Sequence, residues 1–302
     1  MTAEADARSL ALGREPMRSA GSVQGFAIGT VESVRDIWAH RELLGLLTRR
    51  EITARYKDST LGFFWSLMRP LTMLLVYWLA VGQFLGAARS IPAFAIYIFT
   101  GLTAWNLFGE IVASGTGSIV ANAGLVKKVY LPREVFPLSS IGSALFNFAI
   151  QLVVLIGATL VAGTPPSWAA LAYFPVAFAL VLVLGTALAL VLAAVNVYLR
   201  DVQYLVEIIL MVLFWASPIV YSWGQVGHAL SKYGLLTQIY LANPITLAAI
   251  GFQRAFWVAG TGMPVPTHME LRLWIALAVS LVLLWVCQRI FTRLQGNFAQ
   301  EL

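Results

Sequence analysis

Side chains that do covalent chemistry are few and scattered in this sequence. There is no G-x-x-x-x-G-K-[ST] phosphate loop, no H-E-x-x-H helix and no G-x-S-x-G elbow. Gly115-Thr-Gly117 lacks the third glycine of a dinucleotide fingerprint and follows no strand pattern. His40, His228 and His268 stand far apart, and Cys287 is the single cysteine. Neither a shared metal site nor a disulfide within the chain is expected, and no catalytic residue is assigned. Uphill work by this chain therefore needs an energy source on a partner or in an ion gradient. Ion-coupled carriers hold charged residues at mid-membrane. Here Glu110 and Glu207 fall near the ends of apolar runs, where interfacial placement is preferred to a proton relay. The neutral Asn106, Asn147, Gln151 and Asn196 suit helix-to-helix hydrogen bonds.

Cations and aromatic rings remain. In the stretch Ala121-Asn-Ala-Gly-Leu-Val-Lys-Lys-Val-Tyr-Leu-Pro-Arg-Glu-Val-Phe-Pro137, Lys127, Lys128, Arg133 and Glu134 alternate with apolar residues, and Pro132 presets φ for a new helix. A short amphipathic helix there suits docking to another protein; a basic loop that only sets orientation is the alternative. Over 32–57, Val34, Ile37, Trp38, Leu44 and Leu47 recur at helical spacing among Arg41, Arg49, Arg50, Arg55 and Lys57. That pattern predicts a helix lying in the bilayer interface, with an ordinary helix packed on protein as the alternative. The chain holds 10 Trp, 10 Tyr and 17 Phe, many near run ends as interfacial belts require. Tyr77, Trp78, Phe146, Phe148, Phe214 and Trp215 lie deeper. Each alone reads as packing against lipid or another helix; together they allow an aromatic-lined path.

The elements that must position these groups follow from composition. Of 302 residues, 59% are hydrophobic and 11% charged, with a mean hydropathy of +0.79. Soluble domains run nearer about 25% charged. Six apolar runs, about 62–85, 91–112, 137–161, 171–197, 204–221 and 273–288, are each near the length that crosses ~30 Å of hydrocarbon as a helix. The expectation is an all-α membrane protein of six transmembrane helices, 61–302, preceded by a mobile tail, 1–30, and an amphipathic interfacial helix, 31–60. With both termini cytoplasmic, sixteen Lys/Arg lie inside and four outside, a strong positive-inside bias. The +6 net charge then arises from membrane flanks, and nucleic-acid binding is not expected. The stretch 241–259 is also apolar but contains Pro244, Gln253 and Arg254. It reads as a pair of short non-spanning helices, with Asn243 as N-cap before a first-turn proline.

Four motifs in order carry a family resemblance: Leu46-Leu-Thr-Arg-Arg-Glu-Ile-Thr-Ala-Arg-Tyr-Lys57; Thr60-Leu-Gly-Phe-Phe-Trp65 running to Arg69-Pro70; Leu125-Val-Lys-Lys-Val-Tyr-Leu-Pro-Arg-Glu134; and Tyr198-Leu-Arg-Asp201 followed by Asn243-Pro244. With them the chain resembles, over about 32–302, the permease subunit of ABC-type polysaccharide exporters, the group that moves O-antigen, teichoic acid and galactan. The resemblance implies a homodimer with a channel between subunits in the bacterial inner membrane. It also implies two copies of a cytoplasmic ABC ATPase that holds the ATP and Mg, this chain having no cofactor of its own. The substrate implied is a lipid-linked polysaccharide, with membrane lipids around the bundle.

Under this resemblance each group acquires an expected role. Arg49, Arg50, Arg55, Tyr56, Lys57 and Arg69 offer an entrance for the lipid carrier's pyrophosphate. Lys127, Lys128, Arg133 and Glu134 couple to the ATPase. The six deeper aromatics line the channel, where ring faces contact sugars without fixing on one pattern of hydroxyls. High Ala, Leu and Gly content and the closing Gly296-Asn-Phe-Ala-Gln-Glu-Leu302 are similar to actinobacterial members, which favours a galactan over O-antigen. Competing expectations are a permease for a drug or small lipid, an intramembrane glycosyl- or acyltransferase, and a structural anchor.

Overall fold

The computed structural model describes residues 28–56, 64–128 and 131–302. The stretch expected as a tail, 1–30, lies outside the described residues except for the start of the first helix. The helices are α1 (Ile28–Ala39), α2 (Arg41–Tyr56), α3 (Phe64–Tyr77), α4 (Phe94–Ala121), α5 (Ala123–Lys128), α6 (Val135–Val161), α7 (Trp168–Leu171), α8 (Tyr173–Tyr198), α9 (Val202–Trp215), α10 (Trp223–Ala229), α11 (Gly234–Ala242), α12 (Pro244–Phe256), α13 (Met269–Leu294) and α14 (Phe298–Glu301). Among the described residues there is no strand. The expected lead-in helix is divided in two at His40, whose ring Nδ1 bonds to the Asp36 carbonyl at 2.7 Å.

Among the described residues, four helices are long and apolar enough to cross a bilayer: Phe94–Ala121, Val135–Val161, Trp168–Tyr198 and Met269–Glu301. The first and fifth expected runs are shorter. α3 gives way to a π-helical turn at Trp78–Phe84. α9 has 14 residues, about 21 Å at the α-helical rise. It stops because Ser217 precedes Pro218, and a residue before proline avoids helical φ/ψ.

The second expected run, 91–112, is nine residues too short. Ser114, Thr116 and Ser118 lower its hydropathy, yet Thr116 and Ser118 satisfy their hydroxyls on the helix's own carbonyls at 2.7 Å, and Ser114 does so on Glu110. The helix therefore continues to Ala121. Gly115 is required there: a Cβ would stand 2.5 Å from that of Ala189 on α8. Such small-residue contacts let apolar helices approach where no water drives them together. α8 is the hub. It packs on α4, α12 and α13, with Ala177, Ala187, Ala189, Ala193 and Ala194 fully buried.

Two apolar clusters mark the ends of the bundle. Ile119, Val126, Val135, Val197, Phe291 and Phe298 gather at one end, which also carries Lys127, Lys128, Arg133, Arg200 and Arg293 and is called the basic end below. The larger cluster fills the middle and the far end.

The chain between α9 and α13 keeps to that far end. Non-helical backbone at 216–222 is largely buried, and neighbours satisfy the carbonyls of Ala216, Pro218 and Tyr221. Gln253 Nε2 donates to Pro218 O (2.7 Å), the Tyr97 hydroxyl donates to Tyr221 O (2.6 Å) and lies 3.0 Å from Pro218 O, and Thr246 reaches Ala216 O (3.4 Å). Irregular backbone at membrane depth is tolerated when protein shields it in this way. α11 and α12 meet at 79°. Asn243 caps α12 by accepting from Ile245 N (3.0 Å), with Pro244 in its first turn. Trp257 Nε1 then donates to Pro92 O (2.6 Å), so both ends of this stretch touch the end where α4 begins.

Candidate functional site at the basic end

α2 does not lie free. One side docks along the first half of α6. Leu47 is buried in the basic-end cluster, and Thr48 lies against Gly142, where a Cβ would come within 2.7 Å of the threonine methyl. Glu51 accepts from Ser139 Oγ (2.7 Å) and, more weakly, from Ser140 Oγ (3.4 Å). Two of the expected entrance cations are engaged with α4 and its end: Arg50 donates to Asn122 Oδ1, and Arg55 forms an ion pair with Glu110. Glu110 also accepts from Asn147 Nδ2 of α6 (2.7 Å), and one turn away Asn106 donates to Gln151 (3.0 Å).

A polar seam thus joins α2, α4 and α6. Glu110 stands eleven residues before the end of α4, about 16 Å along the axis. This corrects the expectation that it sits at a helix end, and the extra length of α4 is the reason. Asn106, Asn147 and Gln151 act as the interhelical glue expected of them. The site contains residues that sequence reasoning missed, namely Glu51, Glu110, Asn122 and Ser139. Only a lone carboxylate in an apolar run, opposite a basic helix, hinted at the pair.

Arg49 is exposed on α2. Lys57 lies outside the described residues, as do the side chains of Tyr56 and Arg69, whose backbones belong to α2 and α3. The Arg55 side chain is 37% exposed beside a Glu110 at 21%. An anion that reached this point would meet a guanidinium already shared with a carboxylate.

The loop between α4 and α6 forms a second basic surface. α5 buries Val126 and exposes Lys127 and Lys128. Pro132 precedes a turn in which Val135 N donates to Pro132 O (3.2 Å), and α6 starts at Val135. The Arg133 guanidinium stacks 5.7 Å over the Phe298 ring. Glu134, expected with the lysines as an ATPase-coupling residue, is buried at 4%. Burial pushes its carboxyl pKa up, opposed by its own backbone N–H and by the Arg133 and Arg289 charges. Arg289 on α13 is itself buried, and its Nε and Nη2 have no hydrogen-bond partner among the described residues. Charge at the base of this loop is therefore poorly solvated on both α6 and α13.

The six deeper aromatics divide between two places. Tyr77 stacks on Phe214 at 5.8 Å, and Phe214 packs edge-on to Trp105 (5.4 Å) and Trp215 (5.5 Å). Trp78 and Trp215 are exposed beside this pair. Phe146 is exposed on α6, whereas Phe148 is buried against Phe174, Phe178 and Phe252. Phe148 thus faces the core of its own subunit.

Two comparisons agree with this architecture. Residues 42–257 match the family described as ABC-2 type transporter. An O-antigen export system permease protein of Myxococcus xanthus is 31% identical over 272 residues, which cover 90% of this chain and all of that protein. A protein of the same name from Klebsiella pneumoniae is 26% identical over 71% of this chain and 80% of its own length. Long apolar helices packed through small residues, basic surfaces at one end and a family match over most of the chain lead to one conclusion: the chain belongs to the ABC-2 type transporters, and it is a membrane transport permease.

Proposed function

We propose that this chain is the transmembrane subunit of an ATP-driven exporter of a lipid-linked polysaccharide, of O-antigen, teichoic acid or galactan type. Export runs from the cytoplasmic face across the inner membrane. Two copies enclose the channel, and two copies of a separate ABC ATPase, which binds ATP and Mg, power it. The observation that carries this reading is the match, over 90% of this chain, to a permease named for O-antigen export. The missing phosphate loop supports an external motor. Each sugar hydroxyl moved unpaired into hydrocarbon costs several kcal/mol, so a glycan needs a polar-tolerant path.

In this reading the chain crosses six times with both termini cytoplasmic. The four long helices are joined by α3 with its π-helical extension and by α9 with the non-helical 216–222. The sixteen-to-four charge count supports placing the basic end inside. α9 buries only Val206 and Phe214 and presents Tyr204, Ile208, Met211 and Trp215 outward, an apolar face suited to a second copy. Trp78 and Trp215, backed by Tyr77 and Phe214, and Phe146 on α6 are the channel aromatics of this reading. Arg49, Arg50, Arg55, Tyr56, Lys57 and Arg69 receive the pyrophosphate, with Glu110 as its competitor for Arg55. Lys127, Lys128 and Arg133 meet the ATPase, and Glu134 supports the loop from inside.

Depleting the protein tests this. A lipid-linked glycan should accumulate on the cytoplasmic side while its synthesis continues. Unchanged glycan with lost efflux of a drug or small lipid moves the protein to small-molecule export. Chemistry on a glycan or acyl donor by the purified chain without any ATPase makes it a transferase.

A further inference from the structure

The chain does not leave the bundle after α13. A 3₁₀ turn at Gln295–Asn297 leads into α14 and folds it back beneath the loop between α4 and α6. The turn is anchored where the Tyr198 hydroxyl donates to Leu294 O (2.7 Å). Phe298 is 0% exposed and makes edge-on contacts with Phe291 at 5.7 Å and Tyr198 at 6.1 Å. The same ring carries the Arg133 guanidinium. It shares its cluster with Val126 of α5 and with Val135 and Phe136 at the start of α6, and Leu302 packs against that cluster.

α5 has six residues, about 9 Å of helix. A helix so short has no stability of its own in water, so its position must come from what it packs on. It buries a single side chain, Val126. Part of the floor beneath it is contributed by α14, a segment that belongs to neither flanking helix.

We propose that residues 295–302 form a strap that holds the basic loop in place, with Phe298 as the positioning residue. The ring holds Arg133 on its face and shares a buried cluster with Val126, so the lysines of α5 are presented as a rigid surface rather than a loose one. The strap also joins this loop to α8 and α13 through Tyr198 and Phe291. A push on α5 then reaches both helices directly. The mechanical consequence rests on the reading of the loop as the ATPase contact; the strap itself does not.

The test separates the two. Lys128→Cys in a Cys287→Ser background is spin-labelled in nanodiscs, with Phe298 intact, as Phe298→Leu, or as Phe298→Ala. Label mobility is read without the ATPase, and ATPase co-purification is read in parallel on unlabelled chains that keep Lys128 and Cys287 and carry the same changes at Phe298. Mobility should rise in the alanine variant and less in the leucine variant, and ATPase recovery should fall in the same order. Higher mobility with undiminished ATPase recovery keeps the strap and removes the docking role. Unchanged mobility in the alanine variant overturns the strap. Hydrogen exchange on the unsubstituted chain gives a second reading that needs no variant. Amides of α5 and of 298–302 should open together, and strong protection of α5 above a freely exchanging 298–302 also overturns it.

Discussion

Arg55 shows how one side chain can carry two roles that a substitution must separate. It ties α2 to α4 through Glu110, and it is exposed enough to meet a phosphate. A charge-assisted bond of this kind has a carboxylate or a phosphate as its partner, and the two compete. Arg55→Ala loses both functions. Glu110→Gln removes the charge that ties Arg55, keeps an amide oxygen that can accept from Asn147, and leaves the guanidinium free for an anion. In vesicle export assays with the ATPase present, Arg55→Ala is expected to cut export by about tenfold, or ~1.4 kcal/mol. Glu110→Gln is expected to stay near the parent level. Equal losses in the two variants would show that Arg55 acts only as a fastener.

At the scale of elements, the short α9 depends on what receives its broken end. Pro218 and Tyr221 offer buried carbonyls that α9 cannot satisfy, and Tyr97 of α4 and Gln253 of α12 take them. A buried acceptor left without a partner costs about 1–3 kcal/mol. Gln253→Leu alone leaves the Tyr97 hydroxyl within 3.0 Å of Pro218, so a modest fall in thermal midpoint is expected. Gln253→Leu with Tyr97→Phe strips both donors, and the fall should exceed the sum of the single changes because the two share one acceptor. Detergent-solubilised melting curves decide this, and strict additivity would mean that the donors act independently. The stretch 241–259, apolar enough to resemble a span, turns at Asn243 because that side chain caps a new helix with Pro244 in its first turn.

For the whole molecule, the charge asymmetry and the far-end packing of 216–268 make a single sided prediction. In a Cys287→Ser background, Gln300→Cys is expected to label from the cytoplasm and Thr261→Cys from the opposite side. Labelling of both from one side would mean an even count of crossings between them, so that α13 does not cross the membrane. The lead-in region shows where reading a linear chain stopped short. Its helical, basic and apolar pattern was plain, but an interfacial helix and one docked on protein share that pattern, and only the contact with Ser139 and Gly142 shows what one side of α2 touches.

What the sequence by itself determined was composition-driven. Hydropathy set an all-helical membrane bundle, the order of motifs set the family, charge counting set an orientation to test, and Asn243-Pro244 marked a helix start. These are local or summed properties, so no contact map is needed to read them. What only the tertiary structure decided was pairing: Arg55 with Glu110, Arg50 with Asn122, Phe148 with its own core, Glu134 under the loop and Phe298 beneath Arg133. These residues are separated by tens to hundreds of positions, and whether a charge faces solvent or a partner depends on which helices lie side by side. That arrangement is set by the fit of small residues such as Gly115 and Gly142 against their neighbours, which the identity of any single residue does not reveal.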